Sequence, residues 1–180
     1  MSIPRSPEQA LPRQDGITLM EALITLALMG ILLGLALPSM RAFVIQNRLA
    51  AETRLLIAAL TLARNEAVER GRPVLLCRSS NADAADARCS GAVSGDRDGA
   101  DWGAGWLVLA ADDRQVLQRQ GALDANTQAR ASRSTISYHA SGDASGNFTN
   151  VVFGHNNEFA RTVCIAASGR ISLKHDSSEC

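Results

Sequence analysis

The chain has 180 residues, and its 18 basic and 18 acidic side chains give a formal charge of zero. A protein whose main task is to grip nucleic acid usually shows a basic excess or a basic stripe, so this balance disfavours that class. The length beyond residue 71, about 110 residues, suffices for one modest domain with a single core.

A polar leader precedes a long apolar segment. Residues 1–16 contain two basic and two acidic side chains, whereas residues 17–40 have Glu21 as their only charge. At about 1.5 Å per residue this stretch reaches across the ~30 Å hydrocarbon core of a bilayer, so we predict a transmembrane helix over residues 17–40. An ordinary secretory signal is cleaved after its apolar stretch. Here the candidate site, between Gly16 and Ile17, comes before it, so cleavage would leave the helix on the mature protein.

Glu21 is the most informative residue of the apolar segment. A charged side chain near the middle of a bilayer costs about 3 kcal/mol on insertion scales, and such residues usually face a protein partner rather than lipid. We therefore expect a helix that rests in a membrane and packs, through Glu21, against another subunit.

The helical pattern continues over residues 41–71 as an amphipathic second half. Gly71 followed by Pro73 is a stop signal, and Pro38 predicts an interruption or kink in a helix of about 50 residues. The apolar stripe consists of Ile45, Leu49, Leu56, Leu60, Ala63 and Ala67, at helical spacing.

Short segments of strand character, separated by Gly, Asn, Asp and Ser clusters, follow over residues 72–180. The sequence therefore predicts an α+β protein, in which a long N-terminal helix, half transmembrane and half amphipathic, packs on a small antiparallel β domain. The predicted strands are Val74–Cys77, Gly105–Ala110, Gln115–Arg119, Thr135–His139, Asn150–Phe153, Thr162–Ala166 and Arg170–Lys174.

The four cysteines, Cys77, Cys89, Cys164 and Cys180, all follow the apolar segment. An even set fits disulfides, which persist in oxidising compartments such as the bacterial periplasm. Three pairings are possible, and we favour Cys77 with Cys89 and Cys164 with Cys180, because each closes a short loop. A metal site is the alternative, but the sequence has neither a CxxC motif nor paired histidines, and we predict no metal.

The N-terminal residues resemble the class III signal of type IV prepilins. Gly16 precedes Ile17–Glu21, which places Glu21 fifth in the mature chain, and Pro38 stands where pilins commonly carry a kinking proline. Ile17 departs from the usual Phe. Further along, the chain is similar to the GspH/FimT/FimU group of minor pilins and pseudopilins; the matching residues are Ala63–Cys77, Trp102, Gly105–Val108, Cys164 and Ser168–Arg170.

The resemblance implies a set of roles. A prepilin peptidase would cut between Gly16 and Ile17, Ile17 would be N-methylated, and Glu21 and Pro38 would serve assembly. Glu21 would pair with the new α-amino group of the same or a neighbouring subunit. The partners would be other minor and major pilins or pseudopilins, the peptidase and an inner-membrane assembly platform. The implied location is the inner membrane, with a single pass and a periplasmic C-terminal domain, and then a place at or near the tip of a type IV pilus or of a type II secretion pseudopilus.

Alternatives of other classes remain. A GspH-like pseudopilin of a type II secretion system shares the same motifs. Some FimT-like proteins bind DNA through a Gly-Arg-x-Arg motif; here Gly169-Arg170-Ile171-Ser172 lacks the second arginine, which leaves Arg170 and Lys174 as possible contacts and disfavours nucleic acid as a partner.

Two further features have plainer interpretations. The carboxylates of Asp96–Asp101 suggest a calcium loop, but they lack EF-hand spacing, and a solvated loop is the preferred interpretation. Trp102 and Trp106 are predicted to be core residues. No catalytic motif is recognisable, so we expect neither an enzyme nor a cofactor.

Overall fold

A computed structural model of the chain describes residues 16–90, 101–146, 148–156, 158–175 and 177–180, excluding the side chains of residues 35–39. The leader before Gly16 and the segment 96–100 therefore lie outside the described residues. The chain divides into two compact units, residues 1–41 and 42–180.

Helix α1 extends from Leu19 to Arg70 and contributes to both units. Its N-terminus is capped by Thr18, whose Oγ1 accepts a hydrogen bond from the Glu21 N–H at 3.2 Å. The backbone is helical through Pro38, so the helix is not interrupted there. The alternative, a kink near Pro38, stays a prediction. Among the described residues, no helix combines the length and the hydropathy that a membrane crossing requires.

Gly71 ends α1, as the sequence predicts. Its φ of +63° is in the left-handed region, the Arg72 N–H donates to the Ala67 carbonyl at 3.3 Å, and the Gly71 N–H donates to the Val68 carbonyl at 3.4 Å. These two bonds are those of a Schellman motif, which satisfies carbonyls that the helix end would otherwise leave unpaired.

Eight strands of the described residues form two four-stranded sheets in which every pair is antiparallel. The first sheet has the order β3-β2-β1-β5 and the second has the order β4-β6-β7-β8. A 3-10 helix, Trp102–Ala104, precedes β2. The strands are β1 (Val74–Arg78), β2 (Trp106–Ala110), β3 (Val116–Gln120), β4 (Thr127–Ala131), β5 (Thr135–Tyr138), β6 (Thr149–His155), β7 (Phe159–Ile165) and β8 (Ile171–His175).

The sequence predicts each of these strands except β4. In β4, Thr127, Ala129 and Ala131 are buried while Gln128 and Arg130 are exposed. The alternation is present, but its inward residues are two alanines, which have little strand preference, and a polar threonine, so the hydrophobic signal is weak.

The larger of two core clusters joins the second half of α1 to both sheets. The predicted stripe is confirmed, since every member is buried except Ile45, which is half-buried. Trp102 and Trp106 are fully buried, which confirms the core interpretation, and the Trp102 Nε1 donates to the Arg133 carbonyl at 2.8 Å. The sheet residues of this core include Val74, Leu76, Tyr138, Val151, Phe153, Val163 and Ile165.

Two disulfides close the loops that the sequence favoured. Cys77 in β1 bonds to Cys89, with 5.5 Å between Cα atoms, and Cys164 in β7 bonds to Cys180, with 5.9 Å. The second bond holds the C-terminal tail across β7, where the Thr162 hydroxyl also donates to the Ser177 carbonyl. The tail is thereby tied to the second sheet.

Candidate assembly site

The start of α1 brings together the residues that the sequence assigns to processing and assembly. Gly16, Ile17 and Thr18 precede the helix, and Glu21 lies in its first turn. Thr18 and Glu21 have the spacing of a capping box, and a carboxylate in the first turn interacts favourably with the helix dipole. Because the cap uses the backbone N–H of Glu21, the exposed carboxylate has no role in the Thr18 bond and can meet a cation.

Apolar side chains are exposed from Ile17, just before α1, through the following turns of the helix. Ile17 and Leu19 are each 80% exposed. A helix that is hydrophobic all round is normally buried in a large core or a membrane. The arrangement therefore requires lipid or other helices around it. The other exposed apolar residues of this segment are Met20, Leu23, Ile24, Leu26, Leu28, Met29, Ile31, Leu32 and Leu33.

Of the segment Asp96–Asp101, which the sequence suggested as a calcium loop, the structure describes Asp101. It is buried, and its Oδ1 accepts hydrogen bonds from the Gly103 N–H at 2.7 Å and the Ala129 N–H at 2.8 Å. This carboxylate thus caps the 3-10 helix and ties it to β4. Within the described part of the chain, no three His, Cys, Asp or Glu residues are grouped as a metal site.

The two candidate DNA contacts lie on one exposed face. Arg170 immediately precedes the edge strand β8, Lys174 lies within it, and both side chains are exposed. Four residues of strand separate them by about 13 Å. Arg161, on the neighbouring strand β7, is half-buried and pairs in register with His175 rather than Lys174. Its side chain therefore belongs to the opposite face of the sheet.

Gly169, which opens the Gly-Arg sequence, has a packing role. Its φ is +77°, and a Cβ there would lie 2.1 Å from the Gly142 carbonyl oxygen. The adjacent Ser168 carbonyl accepts a hydrogen bond from Arg64 of α1 at 3.4 Å. The glycine thus allows the turn before β8 to approach both α1 and the residue 142 turn, which accounts for it without a ligand.

Alanine at Gly169 should destabilise the protein far more than alanine at Gly71. Both glycines have positive φ, but no atom lies within 4 Å of a Cβ built at Gly71. Gly71→Ala should therefore cost about 1–2 kcal/mol for backbone strain alone. Gly169→Ala adds a backbone clash of about 1–3 kcal/mol. Thermal unfolding of the full chain in detergent measures both, and equal losses would contradict the packing role.

A loop attachment that the sequence did not predict lies at Asp124. Arg48 Nη1 is 2.8 Å from Asp124 Oδ2, and Glu52 Oε1 accepts a hydrogen bond from the Asp124 N–H at 3.3 Å. Glu52 is buried, and among the described residues its second oxygen has no hydrogen-bond partner. The feature of the sequence that could have indicated this attachment was the spacing of Arg48 and Glu52, which lie one helical turn apart on α1. Their common partner is 72 residues from Glu52.

Asp124 should make stability depend on pH. A hydrogen bond from the Asn126 N–H, helped by the Arg48 charge, lowers the pKa of the Asp124 carboxyl. A carboxyl with a lower pKa in the folded state stabilises it above the unfolded pKa of about 3.9, and this contribution is lost as pH falls through the folded pKa.

The stability difference between the parent and Asp124→Asn should therefore be largest near neutral pH and shrink below about pH 4. Urea unfolding of the full chain between pH 7 and 3 measures it. Glu69→Gln, at an exposed helix position, is the control. A difference that stays constant across this range would show that Asp124 acts only by packing.

Taken together, a single long helix, an exposed apolar N-terminal half with Glu21 in its first turn, and a small antiparallel domain define a pilin-like subunit. The family model for type II transport protein GspH matches residues 52–169, and the model for the prokaryotic N-terminal methylation motif matches residues 11–37. The chain belongs to the GspH family, and its role is that of a minor pilin or pseudopilin.

Solved structures show the same fold. The type IV minor pilin FimU of Pseudomonas aeruginosa PAO1, in a P21 crystal, is 21% identical with a TM-score of 0.57, over 76% of this chain and 95% of that one. A P65 crystal of FimU is 20% identical with a TM-score of 0.53, and the match covers 72% of this chain and 94% of that one. A comparison with curated proteins found no match.

Family membership has three direct implications. The N-terminal motif implies a pilin-type membrane anchor and processing by a prepilin peptidase. The family implies interaction with other pilins. Proteins of this family and fold are structural subunits rather than enzymes.

Proposed function

We propose that the chain is a minor pilin that helps to initiate a type IV pilus and is incorporated at or near its tip. The observation that carries the proposal is Glu21, the only charge of residues 17–40, displayed in the first turn of an exposed apolar helix. Before assembly the chain would cross the inner membrane once, through residues 17–40. Residues 72–180 would lie in the periplasm, where the two disulfides persist.

The proposed mechanism is physical. A prepilin peptidase removes residues 1–16, and Ile17 then carries a new α-amino group, which is methylated. Glu21 compensates the charge of such a terminus in the same or a neighbouring subunit. In a low-dielectric setting this pairing offsets the desolvation that makes an isolated carboxylate costly.

The apolar surface of α1 supplies the rest of the assembly energy. Removing this helix from lipid becomes favourable only when other helices replace the lipid around it. Pro38, within α1, would adapt the helix to its neighbours in the fibre by relaxing one turn. An inner-membrane assembly platform would hold the subunits while the first contacts form.

The proposal is tested by deleting the gene. The deletion strain should show fewer surface pili and reduced twitching, and both should return when the chain is supplied in trans. A tagged chain should appear at low abundance in sheared pili. Normal piliation and twitching in the deletion strain would refute the pilus role.

A GspH-like role in type II secretion is the second candidate, and its support is that the matching family model is named for a type II transport protein. The two roles are separated by assaying secretion in the same deletion strain. Lost secretion with intact pili would assign the chain to a pseudopilus. Neighbouring genes that encode only secretion components would point the same way.

DNA binding is the third candidate and is supported only by the shared face of Arg170 and Lys174. Two phosphate contacts would give a slope of about −1.8 in log K against log salt concentration. Titration of the full chain in detergent with duplex DNA at low and physiological salt tests this. Binding at physiological salt that Arg170→Ala with Lys174→Ala abolishes would support DNA uptake as the function.

A further inference from the structure

A cleft lies on the outer face of the second sheet, opposite the core. The core-facing residues of β6 alternate with Val152 and Gly154, which are half-buried and form the floor of the cleft. Gln128 and Arg130, exposed on the edge strand β4, form one wall. Ser178, in the tail that the second disulfide holds across β7, lines the other side. The cleft has a volume of about 440 Å³, which is within the range of small-molecule sites.

The glycine in the floor is not explained by the fold. Gly154 lies within β6, in unbroken register with Gln128 of β4 and Ala160 of β7, and its φ is outside the left-handed region. Among the described residues, the nearest atom to a Cβ built there is the Phe159 carbonyl oxygen, at an ordinary contact distance of 3.8 Å. A larger residue would fit and would strengthen the strand. A strand glycine of this kind marks a place where a ligand approaches the backbone closely.

The walls determine the chemistry of that ligand. The Gln128 amide and the Ser178 hydroxyl each donate and accept hydrogen bonds, whereas Arg130 donates and the Glu158 carboxylate accepts. A matching ligand must therefore present donors and acceptors close together, as neighbouring hydroxyl groups do. Arg130 and Glu158 have opposite charges, so the described lining favours a neutral ligand over an anion or a cation.

An extended peptide matches the cleft less well. The walls are two strand spacings apart, about 10 Å, which is wide enough for an extended chain. A bound peptide must pair its backbone N–H and C=O groups, and a sheet supplies such a ladder at an edge strand rather than on a face. The cleft instead offers separate polar side chains, which suit separate hydroxyl groups.

Nucleic acid also matches poorly. Single strands bind in basic grooves and stack their bases on aromatic side chains. Here the acidic Glu158 offsets Arg130, and Phe159, which lines the cleft, is packed against the core. The described lining therefore offers neither a stacking surface nor an excess of positive charge.

We infer that this cleft binds a neutral oligosaccharide. Hydroxyl groups of the sugar would hydrogen-bond to the polar side chains of the walls, and the apolar faces of its rings would lie on Val152 and Gly154. The inference goes beyond the proposed function and does not depend on it, because the cleft belongs to the folded domain rather than to the fibre. At a fibre tip, such a cleft would attach the fibre to a surface that displays neutral glycans.

The inference is tested by binding of the full chain to an array of neutral oligosaccharides built from glucose, galactose, mannose and N-acetylhexosamines. The detergent is lauryldimethylamine oxide, whose headgroup is not a sugar and does not compete. The array also carries sialylated glycans, sulfated glycans and extended neutral peptides. The parent should bind at least one neutral oligosaccharide, and titration calorimetry with that oligosaccharide gives its Kd.

Two variants alter the cleft, and a third leaves it intact. Gly154→Val places a branched side chain on the floor and should weaken binding about tenfold or more, because it takes the space of a sugar ring. Gln128→Ala removes one hydrogen-bonding group and should weaken binding about threefold to tenfold. Lys174→Ala, exposed on the same face of the sheet but on β8, is the control and should change the Kd less than about twofold.

Thermal unfolding and disulfide content check the fold of the variants. All three should form both disulfides, and Gly154→Val should unfold at the parent temperature or above it. If Gly154→Val unfolds at a lower temperature, the glycine serves the fold, and the Kd of Gln128→Ala decides. The inference is overturned if the parent binds no neutral oligosaccharide, if it prefers anionic glycans or peptides, or if neither cleft variant changes the Kd. Loss of the pilus role in the deletion strain would leave these results unaffected.

Discussion

Replacing Glu21 with alanine is expected to leave the chain in the membrane and to remove it from the fibre. In lipid the substitution removes a carboxylate that costs about 3 kcal/mol on insertion scales, so membrane levels should equal or exceed those of the parent. In the fibre it removes the proposed partner of an α-amino group. Loss of one member of a buried ion pair costs about 3–5 kcal/mol, which is more than a hundredfold in an equilibrium.

The structure makes Glu21→Ala a selective test of the carboxylate. Thr18 accepts its hydrogen bond from the backbone N–H of residue 21, which alanine retains, and alanine is a strong helix former. The helix should therefore begin at the same residue in the variant.

The measurement compares the chain in the membrane with the chain in sheared filaments. Leu23→Ala, which shortens one of many exposed apolar side chains and keeps the carboxylate, is the control and should reduce assembly far less than Glu21→Ala does. Glu21→Gln separates charge from hydrogen bonding: the ion-pair mechanism predicts that it fails like alanine. If Glu21→Ala matches the parent in both fractions, Glu21 is not an assembly residue, even though the family assignment stands.

Gly16→Val should block removal of the leader. The bond to be cut lies between Gly16 and Ile17, and the resemblance to prepilins implies a peptidase that accepts glycine before the cut. Among the described residues, no atom lies within 4 Å of a Cβ built at Gly16, so these residues leave room for valine there. Any effect should therefore arise in the peptidase, and the uncut chain should be absent from fibres because Ile17 never acquires its free amine.

Intact-mass measurement of the membrane-extracted protein checks this prediction. The parent should begin at Ile17, and Gly16→Val should retain residues 1–16. Gly30→Val, also at an unobstructed glycine, is the control and should be processed normally. A parent chain that begins beyond Pro38 would show instead that the apolar segment is an ordinary removable signal.

Most of the secondary structure could be predicted from local patterns. The 3–4 spacing of Leu49, Leu56, Leu60 and Ala63 identified the buried face of α1, and Gly71 identified its end. β4 was missed, since a strand that buries alanine and threonine has little hydrophobic contrast. Of the interruption or kink expected near Pro38, the interruption is absent, because proline weakens a helix locally but does not by itself end one. The kink stays a prediction.

The sequence by itself determined most of the elements, the N-terminal processing motif and the favoured disulfide pairs, because these depend on residues that are close along the chain. Only the tertiary structure decided that Glu52 is buried and that Gly169 packs on Gly142. Each depends on contacts between distant segments, such as the 72 residues between Glu52 and Asp124. Hydrophobic periodicity reports how residues are arranged on one element, whereas a second element decides which of its faces is covered.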